Sequence, residues 1–345
     1  MKYVKPTSIY RSLLLIFTIW VSFSCDNSDA LNGVLSYKDN LFIEDLEEQS
    51  YVTTSVNHLA FPDLSKFNNQ WYVTYREADG HLFKSFAKIK VLRSNDFKNW
   101  TLINTFEING IDLRDPKFSY NDQTNEFYLH FMSVSDSNNG SVRKNVYSTF
   151  NLDSGIFENV LKTLKTTTKY PEDWFWRPMW HDGNLYSAGY GSSGIRLYKH
   201  KNLSIEPDLI LDLSNQGWSE ASLLKVDNRF FTVVRTYGET KFGVSESSDN
   251  VLFQWKDLPM IELGGPNMKY YGGNFVIAGR QKGGCSLFLY NLENNITELK
   301  FTLPAPTGDN AYPGLWIEDS TLFGVYYVEI PNRNNFAILS FKYNL

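Results

Sequence analysis

The chain has almost no cysteine, with only Cys25 and Cys285 in 345 residues. A disulfide framework is therefore excluded as its main support, and no Cys/His cluster stands at zinc-ligand spacing. A basic excess is missing as well: the formal net charge is −5, which leaves no electrostatic footprint for nucleic acid. Neither a P-loop nor a glycine-rich dinucleotide fingerprint occurs, so no cofactor and no metal is implied. Amphipathic helical periodicity is nearly absent, amounting to one turn at most over residues 44–50. From residue 34 to Leu345 no linker or shift in composition interrupts the chain, the pattern of a single domain.

Long apolar runs are also lacking, with one exception near the start. Lys2, Lys5 and Arg11 precede the apolar residues 13–21, and Ser22-Phe-Ser-Cys25 follows. The run is too short for a comfortable membrane span and has the layout of a secretory signal peptide. An ordinary signal peptide with an incidental cysteine is one reading. The other is a resemblance to the bacterial lipoprotein box, in which a Cys directly follows a small residue; Phe23 is its unusual member. That resemblance implies that residues 1–24 are removed and that Cys25 carries a lipid. The protein would sit on the outer membrane, facing the periplasm or the cell surface. The polar residues 25–33 suit a tether. Membrane contact is then through the anchor alone, and the domain is expected to be a monomer.

What the chain has in abundance is aromatic residues, 16% of it, and they recur in a repeat. Asp112-Leu-Arg-Asp-Pro-Lys-Phe-Ser-Tyr leads through a polar turn at residues 121–125 to a second, aromatic strand ending at Phe131. The plan returns as Phe61-Pro-Asp-Leu with a turn at Asn68-Asn69, and as Arg177-Pro-Met-Trp with Asp182-Gly183. Ser219-Glu-Ala-Ser with Asp227-Asn228 and Gly265-Pro-Asn-Met with Gly272-Gly273 follow, then Tyr312-Pro-Gly-Leu-Trp with Asp319-Ser320. About six copies spaced ~45–58 residues apart fit the blades of a β-propeller. The expected fold is all-β: a six-bladed propeller over residues 34–345, with residues 34–38 closing the ring as a strand of the last blade. The opening strand of each blade lines the central channel, so the residues that start those strands converge at one mouth.

Arg93-Ser-Asn-Asp-Phe-Lys-Asn-Trp100 resembles an Asp-box, a blade turn whose Asp caps amides and whose Trp plugs between strands. Ser247-Ser-Asp249 with Trp255 is a looser copy. Together with the repeat, these turns resemble the sialidase-like glycosidases over nearly all of the mature chain. The resemblance implies a tyrosine nucleophile at Tyr312, within Asn310-Ala-Tyr-Pro-Gly-Leu315. A phenol ionises only near pH 10, so it needs a carboxylate base, and Glu220 matches that position. Arg235 and Arg280 match arginines that hold the substrate's acid group. Asp79, in the first-blade loop, matches the leaving-group acid, with Asp115 as the other candidate. The family's opening Arg-Ile-Pro is missing: His58-Leu-Ala-Phe-Pro62 puts Ala60 or Phe61 in place of the Arg. Three arginines clamp a planar carboxylate bidentately in that family, so the lost one would have to be replaced by Arg76, Arg114 or Arg177. Trp180 and His181, at the end of the Trp-rich stretch 173–181, are further candidate sugar contacts.

Arg114-Asp-Pro-Lys also resembles the Asp-Pro motif of the five-bladed furanosidases. That resemblance implies an inverting set of Asp63 as base, Asp115 as modulator and Glu220 as acid, with the acid and base ~6.5–9.5 Å apart. The expected function is an exo-acting glycoside hydrolase on a terminal, acidic sugar of a complex glycan, with the inverting furanosidase as one alternative. A glycan-binding propeller without turnover, serving a carbohydrate-uptake system, is the other. Glu220 is common to both enzymatic readings.

Overall fold

The computed structural model describes residues 41–345, apart from short segments at 83–86, 138–139, 215, 237, 259–260, 306–309 and 331–334. The expected leader at 1–24, Cys25, the tether at 25–33 and the strand at 34–38 lie outside the described residues. Two-residue turns make the repeats fold back on themselves. Asn68 and Asn69 both take positive φ, as do Asp182 and Gly183 and the pair Gly272 and Gly273. Asn, Asp and Gly tolerate that conformation, which matches the twist of a tight hairpin. The strands on either side pair directly, Phe67 with Gln70 and His181 with Asn184.

The hairpins extend into six antiparallel sheets. Their innermost strands are His58–Phe67, Ile111–Asn121, Trp174–His181, Ala221–Val226, Gly264–Tyr271 and Asn310–Glu318. Each contacts the next, and the last contacts the first, so they form a closed ring around an axis. All six repeats read from the sequence supply these inner strands. Among the described residues ring closure falls to an element that was not read as a strand. The last blade is completed by Glu48–Ser55, which pairs antiparallel with Asn335–Asn344. Residues 48–50, expected to be helical at most, start that strand. Closure packs the last blade against the first, so neither leaves a face bare, and only the outer strand of each blade remains an edge.

Each blade is buried on both faces by its neighbours, which explains the near-continuous apolar strands. Between the fourth and fifth blades Phe231, Val233 and Phe242 meet Phe275, Ile277 and Tyr290. Between the first and second, Phe118 stacks on Phe127 at 5.1 Å, and both pack with Phe67 and Phe157. Burying each such ring contributes roughly 1.5–3 kcal/mol. At the outer edge of the first blade Asp96 caps its turn as expected. It accepts from the amides of Lys98 and Asn99 at 2.9 and 2.8 Å, while Trp100 packs on Phe97. In the looser copy Ser247, rather than Asp249, takes the amide of Asn250.

Five inner strands slip register by one residue at corresponding places. The residue at each slip is Phe61, Asp115, Arg177, Gly265 or Tyr312, all with φ between 43° and 58°. Each is followed by proline. A proline has no N–H for the ladder, so inside a sheet it is confined to such a bulge. Bulges re-aim side chains, and these carry residues onto the channel. The fourth blade has no proline at Glu220-Ala221, and its register runs unbroken from Ala221.

Among the described residues His58, His130 and His200 are buried, and the last two hydrogen-bond to serines. His130 shares a hydrogen bond with Ser119 at 2.7 Å and His200 with Ser187 at 3.1 Å. Burial lowers their pKa values to about 3 and about 4, and the nearby His200 charge adds to the shift of His130. Unfolded histidine titrates near 6.5, so below that pH the unfolded chain binds more protons. Stability is therefore lost as pH falls from 6.5, by about 1.4 kcal/mol per pH unit for each histidine. Urea unfolding at pH 7 and pH 5 should show this slope, and it should flatten in His130→Gln/His200→Gln. An equal slope in the double variant would rule these histidines out as its source.

Candidate active site

Tyr312 lies at the bulge of the sixth inner strand and Glu220 immediately before the fourth. Glu220 is held in place by paired backbone bonds with Arg235, whose N–H donates to the Glu220 carbonyl at 2.9 Å while its own carbonyl accepts from Ser219 at 3.0 Å. The Tyr312 hydroxyl donates to Glu220 Oε1 at 2.8 Å. The other carboxylate oxygen accepts from Gly265 N–H at 2.7 Å and from Arg235 Nη1 at 3.0 Å. Both residues are buried. Gly265 is required here: it has φ +58°, and a Cβ would come within 2.3 Å of the Tyr312 ring.

Phe61 and Trp176 wall the Tyr312 ring edge-on at 5.1 and 5.8 Å, and the Arg280 guanidinium lies over its face at 5.2 Å. Burial pushes the phenol well above its ordinary pKa and the Glu220 charge adds to this, while Arg280 and Arg235 oppose it. The phenol is therefore neutral at rest. It can lose its proton to Glu220 only as a new bond to its oxygen forms. Burial works against the Arg235 charge, but Glu220 more than offsets this and raises its pKa. Its side chain remains one-third exposed.

Asp115 occupies the bulge of the second inner strand. Its carboxyl is buried, and Oδ1 has no hydrogen-bond partner. Burial raises its pKa and Glu220 adds to the shift, against Arg114 and Lys117. This carboxyl is held in the protonated form more strongly than an ordinary aspartate. Beneath it, the Lys117 amine donates to the carbonyls of Phe61 and Pro116 at 3.2 and 2.9 Å and faces the Trp176 ring at 5.1 Å. Burial lowers its pKa to about 8, and Arg177 adds to the effect. Arg114 lies at the rim, over Phe61 at 5.4 Å and over Trp174 at 5.8 Å. The structure thus gathers Tyr312, Glu220, Arg235, Arg280, Asp115 and Arg114 at one mouth.

Other expected site residues lie elsewhere. Arg76 is wholly buried: it binds both oxygens of Asp112 at 2.9 and 3.1 Å, and the carbonyls of Gly80 and Leu82. It fixes a mouth loop and presents no donor to a ligand, so the expected substrate contact gives way to a structural one. Asp79 is exposed in that loop. Arg177 turns into the channel axis, donating to Asp63 Oδ1 at 3.0 Å and to the carbonyls of Pro266 and Pro313 at 3.0 and 2.8 Å. Asp63 Oδ2 accepts from Phe118 N–H at 2.9 Å. Asp63 is thereby engaged as a structural ion pair instead of as a free base. Together with the six blades, this removes the five-bladed inverting scheme.

Trp180 and His181 end the third inner strand, and inner strands run from the mouth to the opposite face. Trp180 donates to Ser119 at 3.1 Å and lines a cavity of about 200 Å³ with Asp63, Lys269 and Trp316. His181 pairs with Asp182. Neither stands with the Tyr312–Glu220 pair. Lys117 and Gly265 were not anticipated as site residues, whereas Trp174 belongs to the Trp-rich stretch 173–181 read as a candidate sugar platform. The X-Pro dipeptides were the available signal, since Gly265 directly precedes such a proline and Lys117 directly follows one.

No protein-family model matches the chain, and no curated protein matches it in sequence. Solved structures do. The NanB sialidase of Streptococcus pneumoniae, as a K499G mutant, has a TM-score of 0.65 at 11% identity, over 87% of this chain and 71% of its own. The Hadza microbial sialidase Hz136 has 0.60 at 11%, over 84% and 68%. A Trypanosoma rangeli sialidase mutant displaying trans-sialidase activity has 0.59 at 12%, over 87% of this chain and only 60% of its own. What is shared at such identities is the fold, and the chain has the six-bladed propeller fold of the sialidases.

Proposed function

We propose that this propeller is an exo-acting, sialidase-like glycoside hydrolase that removes a terminal acidic sugar from a complex glycan. The observation that carries the reading is the 2.8 Å hydrogen bond from the buried Tyr312 phenol to Glu220, flanked by Arg235 and Arg280. The Tyr312 oxygen attacks the anomeric carbon while Glu220 takes its proton. The bond to the leaving group breaks, and that oxygen takes a proton from a carboxylic acid. Water then attacks the glycosyl–tyrosine, giving its proton back to the acid, and Glu220 returns the phenol proton. A neutral phenol repels an anionic sugar less than a carboxylate would, which favours tyrosine where substrates are acidic.

Arg235 and Arg280 hold the acid group, with Arg114 at the rim. Ala60 and Phe61 add no charge where the sialidase pattern has its first arginine, so the sugar is one that two close arginines suffice to hold. Asp115 is the better-placed acid, because burial favours its protonated form. A screen of aryl glycosides and natural acidic glycans tests the activity. Once a substrate is found, Asp115→Asn should slow natural glycosides by about 10²–10⁴-fold and spare those with nitrophenol leaving groups, which depart without a proton. If Asp79→Asn shows that pattern and Asp115→Asn does not, the acid is the loop carboxyl.

A further inference from the structure

An open groove of about 580 Å³ lies at the junction of the second and third blades. Three cations line it: Arg143, Lys144 and Lys165. Among the described residues none of them forms an ion pair. The carboxylate of the groove, Glu206, is turned onto Thr168, accepting from its N–H at 2.8 Å and its hydroxyl at 3.3 Å. An unpaired basic cluster stands out on a chain whose formal net charge is −5, and it raises the local concentration of anions. The hydroxyl of Thr163 adds a polar contact at the exposed edge.

The groove meets the Tyr312–Glu220 pair through an unbroken series of contacts. Arg143 lies over the Trp174 ring at 5.7 Å, and Trp174 stacks parallel to Tyr190. Arg114 spans from Trp174 to Phe61, and Phe61 packs on Tyr312. The floor is pinned. Asn145 donates to the Asp173 carbonyl at 2.7 Å and accepts from Phe175 N–H at 2.9 Å, while its carbonyl takes the N–H of Leu164 at 2.9 Å. A glycan whose terminal sugar reaches Tyr312 can leave the mouth over Trp174 into this groove.

We infer that the groove is the leaving-group site and takes an anionic oligosaccharide, bearing carboxylate or sulfate groups, as the departing part of the substrate. The inference rests on the hydrolase reading for the word "leaving", and its test reads binding alone. Full-length Tyr312→Phe protein is titrated with an oligogalacturonate hexamer, a chondroitin sulfate hexasaccharide and neutral maltohexaose, followed by calorimetry and tryptophan fluorescence. At least one acidic probe should bind, more weakly as salt rises, and the two acidic probes separate carboxylate from sulfate recognition. Adding Arg143→Ala, Lys144→Ala and Lys165→Ala should weaken that binding at least tenfold and flatten its salt dependence. The melting temperature of this variant, and Arg143→Glu alone, guard against misfolding as the cause. Equal binding of maltohexaose, no binding of either acidic probe, or unchanged affinity after the triple substitution overturns the inference. Hydrolysis by the wild type with an unaltered triple variant would sink this site and leave the hydrolase reading standing. Groove-dependent binding without hydrolysis of any substrate would do the reverse.

Discussion

Tyr312→Phe is expected to lower kcat by on the order of 10³-fold or more, equivalent to about 4 kcal/mol of transition-state stabilisation. The substitution removes one oxygen from a ring whose walls, Phe61, Trp176 and Arg280, stay in contact. Folding should change little, because the lost partner Glu220 keeps its bonds from Gly265 and Arg235. Glu220→Gln should cost about 10²–10⁴-fold, since an amide cannot take the phenol proton. The two residues act as one unit, so the double variant should be no slower than the worse single one. Rates measured on the best substrate of the glycan screen decide it. Retention of activity within tenfold in Tyr312→Phe, or losses that multiply in the double variant, would end the tyrosine mechanism.

Arg177→Met should destabilise the fold by about 3–5 kcal/mol, because it leaves the Asp63 carboxylate buried without its counter-charge. The guanidinium also joins the first, fifth and sixth blades through Asp63, Pro266 and Pro313. A fall in melting temperature on the order of 10 °C follows. Asp63→Asn in the same chain should restore part of it, since the stranded charge is gone, and a double-mutant cycle reads that coupling. A variant that keeps its melting temperature while KM rises would instead return Arg177 to the ligand.

Tyr312 and Glu220 stand 92 residues apart, yet both were named as candidates because each opens a copy of the repeat and matches the sialidase pattern there, and the ring brings all openings to one face. Arg76 and Arg177 looked like Arg235 in the sequence: each lies in a repeat beside an apolar stretch. They differ in what lies across from them. Asp112 is 36 residues from Arg76, and Asp63 is 114 from Arg177. Those carboxylates turn two apparent substrate clamps into internal ties. Lys117 was overlooked for a similar reason, because a lysine after Asp-Pro reads as a solvated charge until the neighbouring blades close over it.

By itself the sequence determined the inner strands of the blades and their turns, and it placed a proline where each of the five bulges forms. Those depend on short-range backbone sterics, on which residues tolerate positive φ and on proline's missing N–H. It also determined that six such units must bury both faces of every blade. Only the tertiary structure decided which charges are free to meet a ligand. Coulomb attraction and desolvation depend on distances through space, between groups that the chain separates by tens to hundreds of residues.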